Sequence, residues 1–219
     1  MKREKENESM NFIERIMEEL IAEIGGMPNE AYLSESDFQF EFANKAKALG
    51  AERVTIELPF KHGEKDTRKR VDIFFVYEGV EYYLELKYKT TLFKEVTRYG
   101  VKPGLALAKQ SAENDSMFAF RKDIERMEKL LASKKDKAVK AYCVFLSNYN
   151  GFWESHKGPE ISKIQLNDKI KAGKLEYKDK SVDIANEYTL VWKDFKKLGD
   201  TQMMKYLIVE CKPGVKDNK

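Results

Sequence analysis

Arg70-Val71-Asp72-Ile73-Phe74-Phe75-Val76-Tyr77-Glu78-Gly79-Val80-Glu81-Tyr82-Tyr83-Leu84-Glu85-Leu86-Lys87-Tyr88-Lys89 reads as a β-hairpin. Two runs rich in Val, Ile, Phe and Tyr flank Glu78-Gly79, and a glycine between such runs is a hairpin signal, weaker here than Asn-Gly or Asp-Gly. With a two-residue turn, Tyr77 faces Val80 and Asp72 falls directly opposite Glu85. A symmetric four-residue loop keeps that pairing, whereas a three-residue loop or a bulge slips it by one residue and turns the side chains to the other face. Lys87, two residues beyond Glu85, shares its face.

Two carboxylates and an ammonium therefore converge on one patch, the carboxylate β-carbons roughly 5 Å apart by ordinary cross-strand geometry. Facing like charges destabilise a sheet, and the 80–88 strand is aromatic and aliphatic enough for a central position. A divalent cation resolves the conflict: carboxylate and carbonyl oxygens suit magnesium or manganese, and magnesium takes one or two protein carboxylates, keeps waters and meets phosphate oxygens. The alternative is an exposed face on which Glu81, Glu85, Lys87 and Lys89 make ordinary cross-strand ion pairs.

Asp72 followed by Glu85-Leu86-Lys87 on the next strand resembles the signature of the PD-(D/E)XK, or restriction-endonuclease-like, nuclease superfamily, with Val71 where the family name has proline. The resemblance implies that Asp72, Glu85 and the backbone carbonyl of Leu86 hold Mg2+, or Mn2+, and that Lys87 positions or activates the attacking water. It also implies a glutamate on the first core helix aimed at the metal: Glu35 is the first choice and Glu41 the rival, and either can equally be a surface carboxylate favouring the first helical turn. A longer likeness, over residues 34–150, is to an uncharacterised bacterial group of that superfamily. It is carried by Ser34-Glu35-Ser36-Asp37-Phe38-Gln39, by Glu85-Leu86-Lys87-Tyr88-Lys89-Thr90, and by Gln110-Ser111-Ala112 leading to Phe120, Asp123 and Arg126. On it Gln110 lies near the site, with Gln39, Lys89, Lys69 and Arg70 as site-lining or nucleic-acid contacts. Asp123 and Arg126 are read as a surface i, i+3 pair.

The rest of the chain is consistent with this order. Phe12, Ile13, Ile16, Met17, Leu20, Ile21 and Ile24 form a helical stripe ended by Gly25-Gly26, which covers either the sheet or a second copy. Ser34 is an N-cap for a helix reaching Leu49. Residues 54–59 read as a strand, residues 117–131 as a second core helix with Phe120, Ile124, Met127 and Leu131 inward, and residues 138–146 as a buried strand. Between Lys89 and that helix runs a long aperiodic segment that could close over a substrate. Further on, residues 161–170 read as a helix, with strands over 188–192 and 204–211. The expected fold is α/β: a central mixed β-sheet flanked by helices, in the order α-β-β-β-α-β of a restriction-endonuclease-like core. One domain is expected over 1–219, with an N-terminal helix in 1–30, the core in 34–147, and 148–219 completing the sheet.

A net charge of +3 is too mild to imply nucleic acid by itself. Local basic clusters stand out instead: Lys61, Lys65, Arg68, Lys69 and Arg70; Lys134, Lys135, Lys137 and Lys140; Lys193, Lys196 and Lys197. Tyr149, Phe152 and Trp153 can stack on bases, although capping a core is favoured. Cys143 and Cys211 sit in apolar runs as buried thiols of a reducing compartment, His62 and His156 lack partners at metal spacing, and no zinc, Walker or nucleophile-elbow motif is present. With no apolar leader in 1–6 and no membrane-length stretch, the expected location is cytoplasmic. DNA is the expected partner and a homodimer a further expectation, since a symmetric pair cuts both strands of a duplex most easily. The competing expectations are a non-catalytic DNA-binding or interaction module on the same fold, and a structural α/β protein with a fortuitous motif.

Overall fold

The computed structural model describes residues 11–60, 69–101, 106–110, 112–134, 138–155 and 158–214. Lys61, His62, Lys65, Arg68, Ser111, Lys135, Lys137 and His156 lie outside them. The described chain is α/β, with four α-helices and a mixed six-stranded central sheet. Helix α1 (Phe12–Gly25) and helix α2 (Glu35–Ala48) precede strands β1 (Glu52–Pro59), β2 (Arg70–Tyr77) and β3 (Val80–Lys89). Helix α3 (Glu113–Ser133) then crosses to β4 (Val139–Ser147). A 3-10 turn, helix α4 (Pro159–Ile164) and the short strands β5 (Lys169–Ile170), β6 (Gly173–Tyr177), β7 (Lys180–Ile184) and β8 (Tyr188–Thr189) lead to β9 (Trp192–Leu198) and β10 (Gln202–Cys211). The sheet order is β1-β2-β3-β4-β10-β9, with β3 and β4 parallel and the other neighbours antiparallel.

The central hairpin has the two-residue turn, and Tyr77 pairs with Val80. Glu78 and Gly79 have φ of 50° and 76°, both left-handed as a type I′ turn requires. Glycine adopts that conformation freely, and Glu78 bears the modest cost.

Each face of the sheet has its own core. On one, α1 and α2 cover Ile73, Phe75, Tyr82, Leu84, Leu86 and Tyr88. An aromatic row runs across three strands there, Phe75 stacked on Tyr82 at 4.9 Å and Tyr82 on Tyr142 at 6.2 Å. On the other, α3 lays Met117, Phe120, Ile124, Met127 and Leu130 over Tyr83, Cys143 and Phe145. Helix α1 is N-capped by Asn11, whose side chain accepts from the Glu14 amide at 3.0 Å. Its stripe is buried inside this chain, with Phe12 against Phe75 and Tyr77, so of the two surfaces expected for it, the sheet and a second copy, it covers the sheet.

Other expectations need correction. The 161–170 helix ends at Ile164, and Lys169–Ile170 is a strand paired with Tyr188–Thr189. The 188–192 strand divides, because Trp192 begins the edge strand β9. The β6–β7 hairpin was not anticipated at all. The segment after β3 is tied down against α2: Arg98 binds Asp37 and Glu41 at 2.8 Å each, and Ala31 donates to the Thr97 carbonyl at 3.2 Å. The 193–197 basic patch also disperses, since Lys193 pairs with Glu14 at 2.7 Å and Lys196 is buried, donating to the carbonyls of Ile24 and Met27. Tyr149, Phe152 and Trp153 do cap the core, Phe152 lying 4.8 Å from Phe145 and Trp153 5.5 Å from Trp192. Cys143 and Cys211 are buried free thiols, 3.8 Å apart at sulfur.

Candidate functional site

The site forms where β2 and β3 part. Their ladder runs from Tyr77–Val80 to Ile73–Leu84 and ends one residue short of Asp72–Glu85. The expected direct pairing is therefore replaced. The Leu86 amide, released from the ladder, donates to Asp72 Oδ2 at 2.6 Å. Side-chain alternation breaks at the same point, because Val71 packs in the core on the α3 side and Ile73 in the core on the α2 side. Across from Asp72, between the pairs Ile56–Ile73 and Leu58–Val71, Glu57 has φ of 56°. Such a conformation costs a non-glycine residue about 1–2 kcal/mol, and it persists only where the surroundings impose it.

Gln39, buried on α2, supplies part of that support: its Nε2 donates to the Asp72 carbonyl at 2.6 Å and to Glu57 at 3.3 Å. It stands behind the site, holding the backbone, and is not placed as a nucleic-acid contact. Glu35, the first residue of α2, accepts the Tyr88 amide at 2.8 Å. Its charge acts on Asp72, Lys87 and Asp123. Glu41 instead belongs to Arg98 and to the Tyr99 hydroxyl, 2.5 Å away. Of the two rivals, Glu35 bears electrostatically on Asp72, Lys87 and Asp123, whereas Glu41 is engaged by Arg98 and Tyr99.

The residues read from sequence as a surface pair complete the cluster. Asp123 is buried, 3.1 Å from Lys87 Nζ and 3.1 Å from Arg126 Nη2. Arg126 Nη2 also contacts Glu85 Oε2. Glu85 is only 2% exposed and its second oxygen, Oε1, has no hydrogen-bond partner among the described residues. A signal for these two residues does exist in the sequence: Asp123 and Arg126 border the Phe120, Ile124, Met127 stripe, so they flank the buried face of α3 and do not oppose it.

Four carboxylates, Glu35, Asp72, Glu85 and Asp123, thus bear electrostatically on Lys87, and two of them, Glu85 and Asp123, also contact Arg126. The surplus of negative charge and the burial show in the titration of the groups. Burial pushes Asp72 up to about 6, with Glu35 and Asp123 adding to the rise and the Leu86 amide and Lys87 opposing it. Burial, then Asp123 and Asp72, hold Glu85 well above the usual carboxylate range despite Arg126 and Lys87. Asp123 is raised by burial as well. For Lys87, burial favours the neutral amine, but Asp123, Glu35 and Asp72 outweigh it and keep the ammonium.

The remaining expected residues fall around this cluster. Lys69 lines a cleft of about 360 Å3 together with Lys122, Asp123, Glu125, Arg126 and Lys129. Arg70 is exposed at the start of β2. Lys89 and Gln110 meet at the far end of β3, lining a small crevice with Thr91 and Glu113. Gln110 is held by its amide on the Thr90 carbonyl at 3.0 Å. Lys134 pairs with Glu81 at 3.5 Å and Lys140 with Glu210 at 3.9 Å, so both are engaged in ion pairs on the sheet.

The donor chemistry fits a hard divalent cation. Asp72 and Glu85 offer oxygens only, Glu85 Oε1 is unclaimed, and two carboxylates suffice for a magnesium ion that keeps its waters. Among the described residues, no three or more acidic, histidine or cysteine side chains are grouped so as to hold a metal ion by themselves. Nor is any helix among them long and apolar enough to cross a membrane. No protein-family model, curated protein or solved structure matches the chain significantly.

Proposed function

We propose that this protein is a metal-dependent nuclease that hydrolyses DNA phosphodiester bonds, an endonuclease of bacterial defence or DNA processing with a restriction-endonuclease-like core. The observation that carries this is the group of four carboxylates that bear on Lys87, two of them in contact with Arg126, at the point where β2 and β3 separate. The order α2-β1-β2-β3-α3-β4 around it supports the same reading, as does the match of Asp72, Glu85 and Lys87 to the signature.

On this reading Asp72 and Glu85 hold Mg2+ or Mn2+, with Leu86 contributing its carbonyl and Glu35 bearing on the ion from α2. Such an ion, when bound, polarises the scissile phosphate and acidifies water. Lys87 acts as a fixed cation. Its ammonium is held charged by Asp123, which suits it to steady the charge developing on phosphorus and to orient water, not to accept a proton. Gln39 keeps Asp72 in place through its backbone. DNA is chosen over RNA on the family resemblance.

The test is cleavage of supercoiled plasmid, linear duplex, single-stranded DNA and RNA with Mg2+, Mn2+ or chelator. Metal-dependent cutting of DNA is expected, reduced at least about 100-fold by Lys87→Ala, with circular dichroism and duplex affinity retained. Normal cutting by that variant removes Lys87 from its role. One observation favours a second reading, a DNA-binding module without turnover: Glu85 and Asp123 already have protein cations as partners. Tight duplex binding with neither metal uptake nor cutting would establish it.

A further inference from the structure

We propose that Arg126 is a phosphate-binding residue parked on Glu85, which a divalent cation at Asp72 and Glu85 releases into the cleft beside α3, a role that rests on the metal-dependent reading above. Arg126 reaches Glu85 and Asp123 through Nη2, while its buried Nε has no hydrogen-bond partner among the described residues. A structural arginine commonly grips a carboxylate through two parallel bonds. This one is held by a corner. Its side chain is 22% exposed against 3% for Glu85, so Arg126 is the partner that solvent reaches.

The charge balance points the same way. A guanidinium supplies one positive charge to a cluster with two carboxylates in excess, and a divalent ion supplies two. An ion drawing on Glu85 competes directly with Arg126 for the carboxylate, and like charges at that distance repel.

The released group has a destination. Arg126 lines the 360 Å3 cleft with Lys69, Lys122 and Lys129, four cations against Asp123 and Glu125. Lys122 and Lys129 lie one helical turn to either side of Arg126, a rise of about 5.4 Å per turn. Cations in a row along a helix, opening onto a carboxylate pair, suit a backbone of successive phosphates. Arg126 would then couple the two ligands: metal uptake frees the group that grips the phosphate, and the phosphate in turn favours the metal-loaded state.

The experiment is Mn2+ titration of the full chain without DNA, followed by the electron paramagnetic resonance signal of free Mn2+, on wild type, Arg126→Gln and Arg126→Lys. Arg126→Gln is expected to bind Mn2+ about tenfold more tightly, since the competitor is gone. At saturating Mn2+ its affinity for an uncleavable phosphorothioate duplex should be about tenfold weaker than that of wild type. Arg126→Lys, with the charge kept and the reach shortened, should show smaller changes in the same directions, and it carries the test if the glutamine variant does not fold. Mn2+ bound equally by wild type and both variants overturns the exchange and leaves the metal site standing. No Mn2+ uptake by any of them overturns both.

Discussion

Asp72→Asn should be a stabilising substitution that destroys the proposed site. Burial holds the Asp72 carboxyl at a pKa of about 6, against 3.8 for an unperturbed aspartate. The folded state therefore binds this proton more tightly than the unfolded chain does. The stability it contributes is fully present below pH 3.8 and is lost as pH rises through 6. A gap of about two pH units, at 1.36 kcal/mol each, bounds the loss at about 3 kcal/mol. Asparagine is neutral and its Oδ1 can still accept the Leu86 amide, so it escapes most of this cost. In chelator at pH 8 the variant should gain about 2 kcal/mol, or about 4–8 °C in Tm for a chain of this length, and near pH 4 the gain should vanish. Scanning calorimetry from pH 4 to pH 8 measures both arms. Adding Mn2+ should raise the Tm of wild type and leave the variant unmoved. An equal or lower Tm for Asp72→Asn at pH 8, or a gain that does not depend on pH, refutes the claim that Asp72 is ionised at a cost in the metal-free fold.

Two further outcomes follow from the geometry. Glu35→Gln should slow the proposed metal-dependent cleavage at least about tenfold while Glu41→Gln leaves its rate within about twofold, because Glu35 bears electrostatically on Asp72 and Lys87 whereas Glu41 is bound to Arg98; plasmid nicking rates compare the pair directly. Glu128, buried on α3, accepts from the amides of Ala185 and Asn186 at 2.7 and 2.9 Å and from the Tyr188 hydroxyl at 2.8 Å. Glu128→Ala should cost about 3 kcal/mol by orphaning these donors and should speed amide exchange over residues 173–190 in particular, as hydrogen-exchange mass spectrometry would show.

The hairpin was legible because its information is local. Period-two hydrophobicity and one Gly at the turn determine the register, and that register places Asp72, Glu85 and Lys87. The first core helix was equally plain, from Ser34 capping Asp37 at 3.0 Å to the left-handed Gly50 just past its end. The C-terminal third was not. Its strands are two to five residues long between residues 169 and 189, too short for a period to declare itself, and they exist because Tyr177, Val182 and Ile184 join the core that α3 builds, Tyr177 lying 5.5 Å from Phe118. Arg98 shows the same limit, since nothing near it in sequence announces that Glu30, Asp37 and Glu41 will surround it.

What the amino-acid order determined alone was the α/β character and the hairpin that carries Asp72, Glu85 and Lys87, since propensity, periodicity and turn chemistry act over a few residues. What only the tertiary structure decided was their partnership. The parting of β2 from β3 replaces a facing carboxylate pair with a carboxylate bound to the Leu86 amide. The parallel β3–β4 crossover lays α3 along β3, so that Asp123 meets Lys87 and Arg126 meets Glu85 from 36 and 41 positions away in the chain. Such contacts depend on how layers stack, and only a packed core brings charges so distant in sequence close enough to alter one another's protonation.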